Sequence, residues 1–357
     1  MLAMFRMSYF LSLFSLAVVC GSPLVWAQDS AGPQPEKTVQ EQVPKEILND
    51  ENNSFLTLTI ENDLFGGGKD GDYTSGVLLT YFDTAHSPQK LAHWLGDTIP
   101  GFNVNETTSV SYSIGQNLYT PDDITIRAPQ PDKRPWAGFL YGTMGLSTLE
   151  DNHIDDLGVT LGIVGPWAQG RRTQEAIHDL IDTRDPSGWN NQLENEPGLI
   201  MSWRRRWPEA YYKELYDLSF SVTPNVGVNV GNIYTFAETG FTMRLTPRHS
   251  RWQDIPSMVQ PSIPGSGFFK EQKQNIGWYL FGGAQSRAVA RNIFLDGNTF
   301  TSSASVDKKP LVFDVNAGIA LTFGNTRISY TAVYRTKEFD GQDDNALFGG
   351  ISIGYKF

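Results

Sequence analysis

The chain has 357 residues, with 28 Lys+Arg against 39 Asp+Glu and a net charge of −11, which argues against a nucleic-acid binder held by a general positive field. Charged residues make up only 19%, below the roughly 25% of soluble domains, while aromatics reach 12% and glycines number 34, a balance that leans towards a β-rich or membrane-associated protein. A single cysteine, Cys20, all but excludes disulfide scaffolds, Cys-based zinc sites and cysteine nucleophiles.

The first segment reads as an export signal over residues 1–27. Arg6 precedes an apolar stretch from Tyr9 to Cys20, and Val25-Trp26-Ala27 places residues that a signal peptidase accepts before a cut after Ala27. Cleavage there removes the only cysteine. A lipidated Cys20 is disfavoured by Val19, where a small residue is expected. Residues 28–51 are polar, contain proline and lack apolar periodicity, as in a mobile leader.

Residues 52–357 carry no apolar run of eighteen or more, so no transmembrane helix is expected after the signal. An exported chain can still span an outer membrane as a closed barrel, in which every backbone polar group finds a partner. Segments of about ten residues with alternating polarity are that signature. Leu56, Leu58 and Ile60 alternate with Thr57, Thr59 and Glu61. Further segments run from Tyr216 to Thr223, Val226 to Gly231, Tyr234 to Leu245, Trp278 to Phe281, Val312 to Phe323 and Ile328 to Tyr334. In the C-terminal segment, Leu347 to Phe357, Ile351, Ile353, Tyr355 and Phe357 share a face, and a terminal aromatic on an alternating strand marks outer-membrane barrels. The expected fold is an all-β, transmembrane antiparallel barrel of about twelve strands.

Two stretches break the pattern. Gly165 to Trp189 reads as a helix within a long loop, with Ile177, Leu180 and Ile181 on one face. Asn191 to Pro197 is acidic and loop-like. A loop of this size with apolar content points to function.

Candidate chemistry gathers in few places. Between Glu61 and Gly76, Asn62 has the parity of Leu56, Leu58 and Ile60, and a polar amide on a lipid-facing stripe is costly without a partner or a task. The same Asn62-Asp63 pair also suits the start of a turn. Of the five histidines, His86, His93, His153 and His249 lie in polar turn or loop contexts without companions. His178 differs, because Gln174 one helical turn before it projects on the same side. A neutral imidazole so held can take a proton from water near neutral pH, although a lone helical histidine can equally be structural. Gly145-Leu146-Ser147-Thr148-Leu149 lacks the second glycine of a nucleophile elbow. Without His or Cys metal motifs, oxygen ligands for a hard cation such as Ca²⁺ remain, and Asp63, Asp70 and Asp72 could supply them.

Several blocks, taken in order, resemble the outer-membrane lipid A 3′-O-deacylases. They are Glu61-Asn62-Asp63 with Asp72-Tyr73-Thr74-Ser75-Gly76, Gly115-Gln116-Asn117-Leu118-Tyr119-Thr120-Pro121-Asp122-Asp123, and Arg134-Pro135-Trp136-Ala137-Gly138-Phe139-Leu140-Tyr141. Gly165-Pro166, Gln174, His178, Gly188-Trp189, Gln192-Leu193 and Asn195-Glu196-Pro197 follow. The resemblance implies a twelve-stranded barrel with its active site on the outer wall. It implies hydrolysis of the ester that holds the 3′-linked acyloxyacyl chain of lipid A in the outer leaflet, with Ca²⁺ as cofactor. In that scheme His178 is the general base, Asp63 the calcium-site carboxylate, and Asn62 and Thr74 polar residues of the site. Two departures stand out. The family's site lysine near the third strand has no counterpart, since Ser109 to Thr120 contains none and Lys133 sits in a turn. An acidic residue expected shortly after the histidine is Arg184 at the sixth position, with Asp182 and Asp185 nearby. The alternatives are a non-catalytic outer-membrane barrel serving as pore or anchor, and a soluble periplasmic β-protein.

Overall fold

The computed structural model describes residues 54–66, 75–83, 102–105, 107–247, 254–256, 258–259, 269 and 272–357, with side chains of 272–275 excepted. The signal segment, the leader, Thr74, Asp70, Asp72, His86, His93 and His249 lie outside them. The strands are β1 (Ser54–Asn62), β2 (Ser75–Asp83), β3 (Ser109–Tyr119), β4 (Ala137–Leu149), β5 (Ile154–Val164), β6 (Glu196–Arg206), β7 (Tyr211–Leu215), β8 (Leu218–Gly231), β9 (Tyr234–Pro247), β10 (Gln272–Asn292), β11 (Leu311–Gly324), β12 (Thr326–Arg335) and β13 (Ala346–Lys356). Two helices interrupt them, α1 (Gly170–Ile181) and the single turn α2 (Ile293–Asp296).

All neighbours are antiparallel, and two pairings close the sheet. β1 pairs with β13 from Phe55↔Lys356 to Asn62↔Gly349, and β6 pairs with β8 from Ile200↔Gly231 to Arg206↔Asn225. β7 lies against β8 on the side that β6 uses, so β6 and β7 are one broken strand and the wall is twelve strands wide. The break is Trp207 to Ala210, four residues facing Thr223 and Pro224, with Glu209 at φ 53°. Pro208 cannot donate to the ladder there, which is why the strand bulges. The two alternating stretches expected at Tyr216–Thr223 and Val226–Gly231 are a single strand, β8, entered through the left-handed Tyr216.

Period-two burial is clean. On β1, Phe55, Thr57, Thr59 and Glu61 are buried while Leu56, Leu58 and Ile60 are exposed, and on β13 Ile351, Ile353 and Tyr355 are exposed, as is Phe357 after it. The exposed apolar row is the lipid face and the buried row fills the lumen. Short turns such as Asn325, which follows Gly324 at φ 53°, lie at one end. The loops carrying α1, α2 and residues 120–136 lie at the other, the end that outer-membrane barrels present outward.

The lumen is packed. At the outer end Tyr119, Phe139, Tyr141, Tyr234, Phe236 and Phe294 of α2 form one cluster with Val259, Val333 and Phe348. A network of paired charges runs beside and below it, with Arg335 over the Phe348 ring and Arg287 over Phe236. Arg206 bridges Asp156 (2.7 Å) and Asp254 (2.8 Å), Asp314 binds Arg287 (2.7 Å) and Arg335 (2.9 Å), and Arg204 binds Glu238 (2.6 Å). Residues 254–259, from the β9–β10 connection, cross this interior. The Asp254 carbonyl accepts from Tyr279 (2.8 Å) and Arg327 (2.9 Å), the Val259 N–H donates to Glu61 (2.7 Å), and the Val259 carbonyl accepts from Tyr141. A cavity of about 160 Å³ beside this segment is lined by side chains of the same network. Buried charges are tolerated in such a core only when paired and hydrogen-bonded.

With this filling, wild-type protein in planar bilayers is expected to show no steady conductance. Asp254→Ala removes one partner of a buried guanidinium, a loss of about 3 kcal/mol. It should lower the urea midpoint of the detergent-folded barrel and introduce flickering openings.

Candidate active site on the outer wall

The site is assembled at the outer rim, on the lipid side of the sheet. Asn62, Ser75, Leu118 and Gly138 follow one another through the cross-strand pairs Asn62↔Ser75, Ser75↔Leu118 and Leu118↔Gly138. They form one outward-facing row across four strands. Thr74 adjoins Ser75 in sequence but is not among the described residues.

At one end of the row, β1 ends in a 3₁₀ turn, Asp63–Phe65, for which Asn62 is the N-cap. Asn62 Oδ1 and Asp63 Oδ1 both accept from the Leu64 N–H at 2.8 Å. The turn reading of Asn62 thus holds locally, and it brings two side-chain oxygens together. Asp63 is buried, and the Asn62 Nδ2 makes no hydrogen bond among the described residues. Phe65 lies over Gly349 of β13, where a Cβ would come within 2.8 Å of it.

At the other end sits α1. Gly165 turns the chain at φ +98°, a conformation only glycine adopts without strain, and Pro166–Ala168 makes a 3₁₀ turn into the helix. The helix meets the wall at two facing glycines, and a Cβ on Gly138 would be 3.2 Å from the Gly170 Cα. Gln116, outward on β3, donates from Nε2 to the Ala168 carbonyl at 2.6 Å and pins the turn. Trp189 packs against Trp136, with ring centroids 5.1 Å apart, in a cluster with Leu118 and Ile124. Its Nε1 donates to Gln174 Oε1 at 2.7 Å.

The helix is inverted relative to one in water. It buries Gly170, Gln174 and His178 against the protein and exposes Ile177, Leu180 (84%) and Ile181, with Trp167 exposed just before it. The apolar face anticipated from spacing exists, but it points outward. Exposed Arg171, Arg172 and Asp179 flank these apolar side chains, the mixed pattern of a helix lying at a membrane interface.

His178 is 7% exposed. Its Nδ1 lies 2.5 Å from the Arg184 carbonyl, an atom that only accepts, so Nδ1 carries a proton and Nε2 is the ring atom left to exchange one. Nε2 has no hydrogen-bond partner among the described residues. One turn away, the buried Gln174 Nε2 also lacks an acceptor. No hydrogen bond links His178 with Asn62 or Asp63 among the described residues; they share a face and a rim.

Other sequence expectations meet specific outcomes. Lys133 is committed to Asp122 (2.9 Å) and Asp343 (2.5 Å), and these hydrogen bonds raise its pKa. His153 is not companionless, since Nδ1 bonds Asn152 (2.7 Å) and Nε2 lies 3.5 Å from Asp155. Glu196 and Pro197 open β6 rather than ending a loop. Gln116 was not singled out as a site residue, although its parity with Tyr112 and Ile114 carries the signal that marked Asn62.

A family model, outer membrane protein LpxR, matches residues 11–357. This chain belongs to the LpxR outer-membrane protein family. Among solved structures, LpxR from Salmonella typhimurium is similar at 20% identity and TM-score 0.67, over 85% of this chain and 100% of that one. The β domain of the Bordetella autotransporter BrkA is similar at 9% identity and TM-score 0.41, over 86% of this chain and 100% of that one. Among curated proteins none matches the sequence. LpxR-family membership identifies an outer-membrane β-barrel of the lipid A 3′-O-deacylase family.

The Gly138–Gly170 contact gives a direct check. A Cβ at Gly170 would lie 2.8 Å from the Trp189 ring, so Gly170→Leu should unseat α1. Trypsin should then cut at Arg171 or Arg172 while the barrel keeps its heat-modifiable mobility.

Proposed function

We propose that this LpxR-family member hydrolyses the ester holding the 3′-linked acyloxyacyl chain of lipid A, with His178 as general base. The observation that carries the reading is the held imidazole: Nδ1 fixed on the Arg184 carbonyl, Nε2 available, on a helix that exposes Ile177, Leu180 and Ile181.

In this reading Nε2 of His178, when unprotonated, takes a proton from water as the oxygen attacks the ester carbonyl carbon. The imidazolium then returns the proton to the departing sugar 3′ oxygen. The products are a free 3-acyloxy fatty acid and lipid A with a 3′ hydroxyl. General base catalysis of this kind contributes roughly 10²–10⁴-fold. Gln174 Nε2, buried beside His178 without an acceptor, is a donor suited to an oxygen on the substrate, and an unmet buried donor costs about 1–3 kcal/mol. Asn62 Nδ2 supplies a second donor on the same rim, and Thr74, outside the described residues, is proposed with it on the family resemblance alone.

The donor chemistry at the end of β1 suits a calcium ion. Asn62 and Asp63 bring an amide and a carboxylate oxygen together, hard ligands of the type Ca²⁺ takes, though a full set numbers six to eight. Among the described residues no three His, Cys, Asp or Glu side chains cluster, so further oxygens would come from main-chain carbonyls, water or the substrate. Bound there with Asp63 as ligand, Ca²⁺ would supply Lewis-acid stabilisation of developing oxyanion charge.

The two departures acquire physical counterparts. The Arg184 main-chain carbonyl orients the imidazole, the task otherwise given to a carboxylate. On β3 the outward polar side chain is Gln116, which carries no charge and holds α1.

The test is mass spectrometry of lipid A from cells with and without the protein. Wild type should release one acyloxyacyl unit. His178→Ala should lower conversion at least a hundredfold, and Asp63→Asn or chelation should do so with recovery, for the chelated enzyme, on added calcium. Unchanged lipid A in all samples would favour a non-catalytic anchor.

A further inference from the structure

Along β4 the outward positions below the α1 seat are Leu140, Gly142, Met144 and Leu146. Gly142 is the gap in this series. A Cβ there would meet only the Ser113 carbonyl oxygen at 3.7 Å, an ordinary contact. Other outward strand glycines near the rim are already filled, Gly138 by α1 and Gly349 by Phe65.

The residues flanking Gly142 are Ile114 on β3 and Leu161 on β5. Their exposures, 58% and 62%, exceed the 37–43% of Leu56, Leu58, Val77, Leu79 and Leu199 on neighbouring strands, because no side chain stands between them. Rows two strands apart are separated by about 9–10 Å, which leaves room for one methylene chain in van der Waals contact with both walls. Further down, Met144 is partly buried against a cluster of Phe102, Val110, Leu146 and Leu157, and it closes the slot.

We propose that Gly142 is the floor of an acyl-chain groove, with Ile114 and Leu161 as walls and Met144 as stop, that seats one hydrocarbon chain of the lipid being hydrolysed. The inference rests on the deacylase reading. Its continuity with the site is structural: Gly142 lies four residues, about 13 Å, along β4 from Gly138, on the same outward face. A long chain entering from the rim reaches it, and a very short one does not. The groove therefore selects by chain length, without contact to the reacting atoms.

The experiment compares full-length protein in vesicles on two lipid A substrates, one with tetradecanoyl-length 3′-linked chains and one with the same chains cut to butanoyl. Wild type, Gly142→Ala and Gly142→Phe are measured, with heat-modifiable mobility confirming that each is folded. Gly142→Phe should slow the long-chain substrate tenfold or more and leave the butanoyl substrate within twofold of wild type, with Gly142→Ala between. An unchanged ratio of the two rates, or an equal fall in both, would overturn the groove while leaving the deacylase reading standing. If wild type hydrolyses neither substrate, the deacylase reading itself fails and the groove falls with it.

Discussion

Asp254 is the point from which the interior of this barrel is tied together. Its carboxylate holds Arg206 of β6, which in turn holds Asp156 of β5, and its carbonyl takes hydrogen bonds from Tyr279 of β10 and Arg327 of β12. Four strands are thus fixed to one short segment crossing the lumen. Val259, five residues on, adds β1 through Glu61 and β4 through Tyr141. Guanidinium and carboxylate groups in this volume would be prohibitive singly and are stable as a closed set. Among the described residues the lumen is largely filled by these groups. The candidate site lies on the outer wall instead.

That wall imposes its own rule. Every second residue meets hydrocarbon, and a polar side chain there must be tethered or covered. The structure does both at one rim. Asn62 is tethered to Leu64, Gln116 to Ala168, and Gln174 and His178 are covered by turning the polar stripe of α1 inward. The two glycines at Gly138 and Gly170 allow the approach that makes the covering possible.

Much of this was legible because period two is a local signal. The alternation at Leu56 to Ile60 and at Ile351 to Phe357 fixes which residues meet lipid, and the same count marks Asn62 as out of place. The helix over Gly170–Ile181 is visible in its spacing, but its orientation is not, since spacing defines a face and leaves open which solvent meets it. The luminal segment could not be read either, because Asp254-Ile255-Pro256 resembles any turn and the partners of residues 254–259 lie up to 198 residues away in sequence. The missing acid after His178 shows the same limit: a main-chain carbonyl, at Arg184, does the holding, and every residue type has one. Tyr216–Gly231 appeared as two segments because Pro224 interrupts the alternation, whereas in the sheet it faces a bulge that absorbs the interruption.

The outward-facing Ile177, Leu180 and Ile181 carry a consequence for timing. Burying each in hydrocarbon contributes about 1.5–3 kcal/mol relative to water, so a bilayer adds to the protein contacts that hold the helix on its seat. A chain in an aqueous compartment would gain by turning that face inward, which would pull His178 away from the wall. In the deacylase reading proposed above, the site at His178 would then be completed only on insertion, a safeguard obtained from solvent rather than from a propeptide.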